Sequence, residues 1–177
     1  MRLLSRADIL EALEALAREL ETTGVESREE IVLAGGAALV LLFNARDATR
    51  DVDAFPVGST GFAVVRRAAQ RVAGVLDLPD DWLNDGAKGY LNGLLPGQVV
   101  LERPALLVRA LAPQQLLAMK LSAWRDDVDI ADARRLLAEI PGTRMEVWNL
   151  VEPFLVPGRG LKARYAFDDL WESERGS

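Results

Sequence analysis

The chain contains no cysteine and no histidine. The first absence excludes disulfides, thiolate metal sites and cysteine nucleophiles. The second removes the commonest zinc ligand, the commonest general base and any Ser-His-Asp triad. Basic residues are in deficit, 21 Lys and Arg against 27 Asp and Glu, for a formal net charge of −6. That balance does not suit a protein that coats nucleic acid, although a local basic patch is a separate quantity. No apolar run reaches membrane-spanning length, and no signal peptide is visible ahead of the first amphipathic segment. The expectation is a soluble cytoplasmic protein with no membrane partner. Any chemistry has to use carboxylates, Lys, Arg, hydroxyls and a recruited metal.

What is present describes a packed globule. Half of the 177 residues are hydrophobic and 27% are charged, a mixture that forms a core rather than a disordered chain. Ser5 with Asp8 reads as an N-cap and its box partner for a helix to about Glu21, with Ile9, Leu10, Leu13, Leu16 and Leu20 at helical spacing. Ile31–Ala34 reads as a buried strand, Ala37–Phe43 as helix, and Asp51–Phe55 as a strand stopped by Pro56 and Gly58. Ser59 or Thr60 would cap a helix to about Leu76 with Arg66, Arg67 and Arg71 outside. Leu78–Gly93 reads as loop, and Gln98–Leu101 and Ala105–Leu111 as strands. Pro113 opens a helix, Val128–Glu139 and Thr143–Phe154 are helical, and Leu161–Trp171 is a last short helix or an arm. The pattern predicts an α+β fold with a mixed α/β sheet, in one domain spanning residues 1–177. Its core would cover about 25–112, with a helical C-terminal part over about 113–177.

The organising stretch is Ile31–Val57. Residues two apart on a strand share a face, so Asp51 and Asp53 project side by side while Val52 and Ala54 turn inward. Adjacent carboxylates repel unless a positive charge lies between them, and a hard divalent cation held by oxygen is the usual answer. A bare D-x-D is also common on an acidic solvent face. Gly35-Gly36, opening a helix, offers backbone N–H groups that could receive a phosphate. Lys120 shares its helix with Leu116, Leu117, Met119, Leu121 and Trp124, and a lysine among core candidates needs a partner. Asp129 and Asp132, three apart, are neighbours on the next helix. Solvated helix faces explain Lys120, and also Arg66, Arg67 and Arg71, without any activity. Trp82-Leu83-Asn84-Asp85 reads equally as a loop anchored by a buried Trp.

Ala34-Gly35-Gly36 and Asp51-Val52-Asp53-Ala54, separated by a short helix, resemble the hG[GS] and Dh[DE]h motifs of the nucleotidyltransferase superfamily with the DNA polymerase β-like fold. The Lys120–Arg125 stretch followed by Asp129 and Asp132 looks like the C-terminal motifs of minimal AbiEii-type toxins, and the Trp82–Asp85 loop resembles small prokaryotic nucleotidyltransferase-like proteins. The likeness covers roughly Ile31 to Leu137. It implies metal-dependent transfer of a nucleotidyl group from an NTP, with Asp51 and Asp53 binding Mg²⁺ (or Mn²⁺) and activating the attacking hydroxyl. Gly35 and Gly36 would place the triphosphate, with Arg50 and Lys120 as further nucleotide contacts. Asp129 would support Lys120, and Asp132 would orient Arg125 or another basic group. The acceptor would be tRNA or another RNA, a protein hydroxyl or a small molecule, in a toxin–antitoxin or defence setting with an antitoxin-like partner protein. The chain departs from the superfamily in lacking an evident third carboxylate. Arg109 is the polar residue inside the later strand, and Glu102 is the nearest acid. The alternatives are a catalytically degenerate module of the same fold, binding a nucleotide or a protein partner through its C-terminal helices and the Tyr165, Phe167 and Trp171 tail, and a helix-rich adaptor.

Overall fold

Ser5 fixes the start of the first helix. Its hydroxyl and backbone N–H both donate to Asp8 Oδ2, at 2.5 and 2.9 Å, and its Oγ accepts from the Asp8 N–H. This is the capping box read from the sequence. In the computed structural model, which describes residues 3–25, 27–57 and 62–176, β1 (Leu4–Ser5) leads into α1 (Arg6–Thr23). Next come β2 (Glu29–Leu33) and α2 (Gly35–Ala38), which widens into a π-helical turn over Leu39–Phe43. β3 (Ala48–Thr49) and β4 (Val52–Pro56) precede α3 (Ala63–Leu76). Gly58 and the expected caps Ser59 and Thr60 lie outside the described residues. β5 (Leu83–Asn84), a 3-10 turn over Gly86–Tyr90, β6 (Pro96–Arg103) and β7 (Leu106–Leu111) complete the strands. Four helices follow: α4 (Pro113–Ala123), α5 (Asp127–Ala138), α6 (Arg144–Val151) and α7 (Gly160–Arg175). No helix among the described residues is long and apolar enough to cross a membrane.

The chain divides into two compact units, Met1–Gly86 with Pro96–Ala110, and Ala87–Leu95 with Leu111–Ser177. The first carries a mixed five-stranded sheet in the order β5-β4-β2-β7-β6. β2 runs antiparallel to β4 and parallel to β7, and β4 runs parallel to β5. α1 and α3 pack on each other. Their apolar faces share one core with the sheet, including Leu13, Leu16, Ile31, Leu33, Val65, Val72, Trp82 and Val108. Leu78–Gly93, read from the sequence as loop, contains the strand β5. Two residues are too few to show a period. Pairing with β4 and the burial of Trp82, whose Nε1 donates to Ala69 O at 2.9 Å, hold them in place.

In the second unit α4 packs against α5, α6 and α7, and its buried residues encircle it. Its buried polar groups are satisfied. Gln115 accepts from Leu95 N–H at 2.7 Å and donates to Gly93 O at 2.9 Å, and Ser122 Oγ accepts from Val156 N–H at 3.2 Å. The tail is a full helix, not an arm. Phe167 and Trp171 are buried and stack with Trp148 in a chain of ring centroids 5.2 and 5.7 Å apart. Of the three tail aromatics only Tyr165 is exposed.

Candidate functional site

β4 buries Val52 and Ala54 and leaves Asp53 half-buried between them, as alternation requires, while Asp51, also half-buried, lies just before the strand rather than opening it. Asp53 is tied to the start of α2 through its backbone, because Ala34 N–H donates to Asp53 O at 2.9 Å. The next residue, Gly35, has φ 56°, and a Cβ there would stand 2.7 Å from Asp53 Oδ2. A Cβ on Gly36 would overlap the Thr49 hydroxyl and lie 3.2 Å from Arg46 Nη1. Both glycines are therefore required where the acid strand and Thr49 close on the helix start. The arginine beside Gly36 is Arg46, whereas Arg50 is exposed.

β5 supplies the other wall. Asn84 is the register partner of Asp53. Its Nδ2 donates to Asp51 Oδ2 at 2.9 Å and to Asp81 O at 3.1 Å, while its Oδ1 accepts from Gly86 N–H at 2.6 Å. A Cβ on Gly86 would lie 2.8 Å from Asn84 Oδ1 and 3.5 Å from Asp53 Oδ1. Gly35, Gly36, Asp51 and Asp53 thus form one cluster, and Arg46, Thr49, Asn84 and Gly86 belong with them. Sequence reasoning missed Thr49 and Gly86 as members of the cluster. It noticed Asn84 only as part of the Trp82 loop, because a strand of two residues gives no pattern from which to read its pairing.

Lys120 and Asp129 lie together in the second unit. Lys120 Nζ is 2.9 Å from Asp129 Oδ1 and 2.7 Å from Asp132 Oδ2, with its side chain only 13% exposed. Both carboxylates are buried, so the basic group that Asp132 holds is Lys120. Arg125 donates to Asp129 Oδ2 from its backbone N–H at 3.2 Å and from Nε at 3.0 Å. Burial pushes the Asp129 carboxyl up, but the bonds from Arg125 and Lys120 outweigh it and bring the pKa to about 2. The hydrogen bond to Asp129 in turn raises the Arg125 guanidinium.

The acid pair offers hard oxygen donors. Mg²⁺ is commonly held by one or two carboxylates together with waters and substrate phosphates, and the Asp51–Asp53 pair fits that kind of ion. Among the described residues no set of three or more acidic side chains is placed to hold a metal. Glu102, the nearest acid by sequence, sits on β6, three strands from β4, and pairs with Arg28 at 2.7 Å. Arg109 on β7 reaches Glu30 at 3.1 Å and Gly97 O at 3.2 Å. No protein-family model, curated protein or solved structure matches the chain.

Proposed function

We propose that the chain is a divalent-cation-dependent nucleotidyltransferase of the DNA polymerase β-like type, moving a nucleotidyl group from an NTP to a hydroxyl of RNA, protein or a small molecule. The observation that supports this reading is Asp53 against the Gly35-Gly36 step, its Oδ2 filling the space a side chain on Gly35 would need, with Asp51 joined to the same cluster through Asn84. In this reading Asp51 and Asp53 hold Mg²⁺ or Mn²⁺, and the backbone N–H groups of Gly35 and Gly36 receive phosphate oxygens. When bound, the cation would neutralise charge on the phosphates and make the acceptor hydroxyl more acidic. Arg46, beside Gly36, adds positive charge at the same place. The proposal rests on the first unit alone, with Lys120 and Asp129 as elements of the second.

The test is Mg²⁺-dependent binding of labelled NTPs to the native chain and to the Asp51→Ala/Asp53→Ala double variant. The expected result is loss of the cation-dependent part, and unchanged binding by the variant would refute the metal site. Label recovered on total RNA, on protein or on a small molecule identifies the acceptor class. A second reading, a nucleotide-binding module that transfers nothing, is favoured by the lack, among the described residues, of a third acid placed with the pair to hold a metal. Binding without transfer in either Mg²⁺ or Mn²⁺ would select it.

A further inference from the structure

Two arginines share one aromatic ring in the second unit. The guanidinium carbons of Arg125 and Arg159 stand 5.5 and 5.3 Å from the centroid of Tyr90. Arg159 Nη1 donates to Ser122 O at 2.9 Å and Lys162 Nζ donates to Ala123 O at 2.7 Å, so three cations gather where α4 ends. A helix C-terminus attracts positive charge, but its own share is only about half an elementary charge. Arg159 and Lys162 also stand at the start of α7, whose first turn carries no acid and whose dipole disfavours cations there. Among the described residues neither has a carboxylate partner. Lys120 and Arg125 are balanced by Asp129 and Asp132. Asp126, the other acid that acts on Arg125, caps α5, its Oδ1 accepting from the Asp129 N–H at 2.9 Å. With Asp126 counted, the cluster still holds a surplus of positive charge, in a chain whose net charge is −6. Closing a helix end does not require that surplus.

We propose that Tyr90, Arg125, Arg159 and Lys162 form a phosphate-binding site in the second unit, taking the phosphate groups of a free polyphosphate or of a nucleic-acid strand. Arg125 directs Nε and Nη2 at Asp129, which leaves Nη1. Arg159 places Nη1 on Ser122 O, which leaves Nε and Nη2, and the Lys162 ammonium keeps two of its three N–H groups. All three side chains belong to exposed residues. Donors from three separate side chains match the several anionic oxygens of a phosphate better than the two of one carboxylate, and a guanidinium can meet phosphate bidentately. The ring of Tyr90 holds the two guanidiniums near each other through its π face, without neutralising either. An anion between them relieves the repulsion that remains. The inference makes no use of Asp51, Asp53 or the nucleotidyltransferase reading.

The experiment is a calorimetric titration in EDTA at constant ionic strength, with pyrophosphate, a single-stranded oligoribonucleotide and malonate as probes. The native chain is expected to bind pyrophosphate or the oligoribonucleotide at least about tenfold more tightly than malonate. Tighter binding of pyrophosphate identifies a free polyphosphate as the source, and tighter binding of the oligoribonucleotide identifies a strand. Binding of neither, or malonate bound equally well, overturns the proposal. Phenylglyoxal modification of the native chain, read by peptide mass spectrometry, locates the site without any variant. The bound probe should slow modification of Arg125 and Arg159 and leave Arg134 on α5 unchanged, whereas uniform protection, or none, overturns the proposal. Arg159→Gln should weaken binding by about tenfold, while Arg134→Gln, which makes the same change in charge, should bind as the native chain does. Equal losses would reveal attraction to the unit's charge as a whole and no site. The Asp51→Ala/Asp53→Ala chain should keep native affinity in EDTA. Loss of binding there would move the phosphate to the acid-pair cluster and overturn this inference, whereas failure of Mg²⁺-dependent NTP binding removes only the nucleotidyltransferase reading.

Discussion

At the residue scale the most constrained charge is the Lys120 ammonium, which sits between Asp129 and Asp132 with most of its surface covered. Two buried carboxylates near one another are stable because Lys120 and Arg125 supply the opposing charges. Lys120→Met removes the partner of Asp132 that the geometry provides and leaves Asp129 to Arg125 alone. Removing one member of a buried ion pair strands the other, at a typical cost of about 3–5 kcal/mol. Urea unfolding should show a loss in that range, and a loss under about 1 kcal/mol would mean that solvent or a rearranged Arg125 replaces the lysine. That Lys120 needs a partner was legible from its apolar helix. That it takes both Asp129 and Asp132 was not, because the spacing gives the two aspartates a common face without saying which cation faces them. Asn84 was less legible still, since the sequence shows it only as a neighbour of Trp82.

At the element scale the sequence announced the alternation of β4 and the Gly-Gly step, and the structure gives the step a steric reason that composition does not contain. Gly36 is small because β3 passes it, with Thr49 buried and its β-branched side chain unable to swing away. Gly36→Ala should cost about 1–3 kcal/mol as an overpacking change. Removing the hydroxyl it meets, by Thr49→Ala, should recover part of that loss. The double-mutant cycle then returns a coupling energy of about 0.5 kcal/mol or more between the two positions. Additive single effects would show that the helix start simply shifts away from β3. Long periodic elements such as α1 are readable to within a residue or two, its N-cap Ser5 included. β5 is not, since its strand character comes from pairing with β4 and not from its own two residues. The aromatics of the tail suit helix or arm equally, and burial of Phe167 against Trp148 and of Trp171 against Phe167 decides for helix.

At the scale of the whole molecule, three carboxyl groups of the second unit, Asp129, Asp168 and Glu146, are pulled below their ordinary range. Asp129 stands at about 2. Asp168, pushed up by burial, is drawn lower by its bonds to Arg144 and Arg164, and Glu146 is lowered by the Thr143 cap. A carboxyl whose pKa is depressed by folding binds fewer protons in the folded than in the unfolded state. Its stabilisation is complete above the unfolded value, near 3.8 for Asp129, and drains away as pH falls through the folded value near 2. The chain should therefore lose stability on acidification between about pH 4 and pH 2, with Asp129 contributing about 2 kcal/mol of that slope. Three of the four tryptophans, Trp124, Trp148 and Trp171, belong to the same unit, so fluorescence-detected urea unfolding reports chiefly on it. Asp129→Asn should lower the urea midpoint at pH 7, because Lys120 and Arg125 lose a charge partner, yet flatten the dependence over the acid window. By pH 2 the native and variant chains should converge. If Asp129→Asn keeps the full native slope, the acid lability comes from other carboxylates and the Lys120–Asp129–Arg125 cluster is not its source.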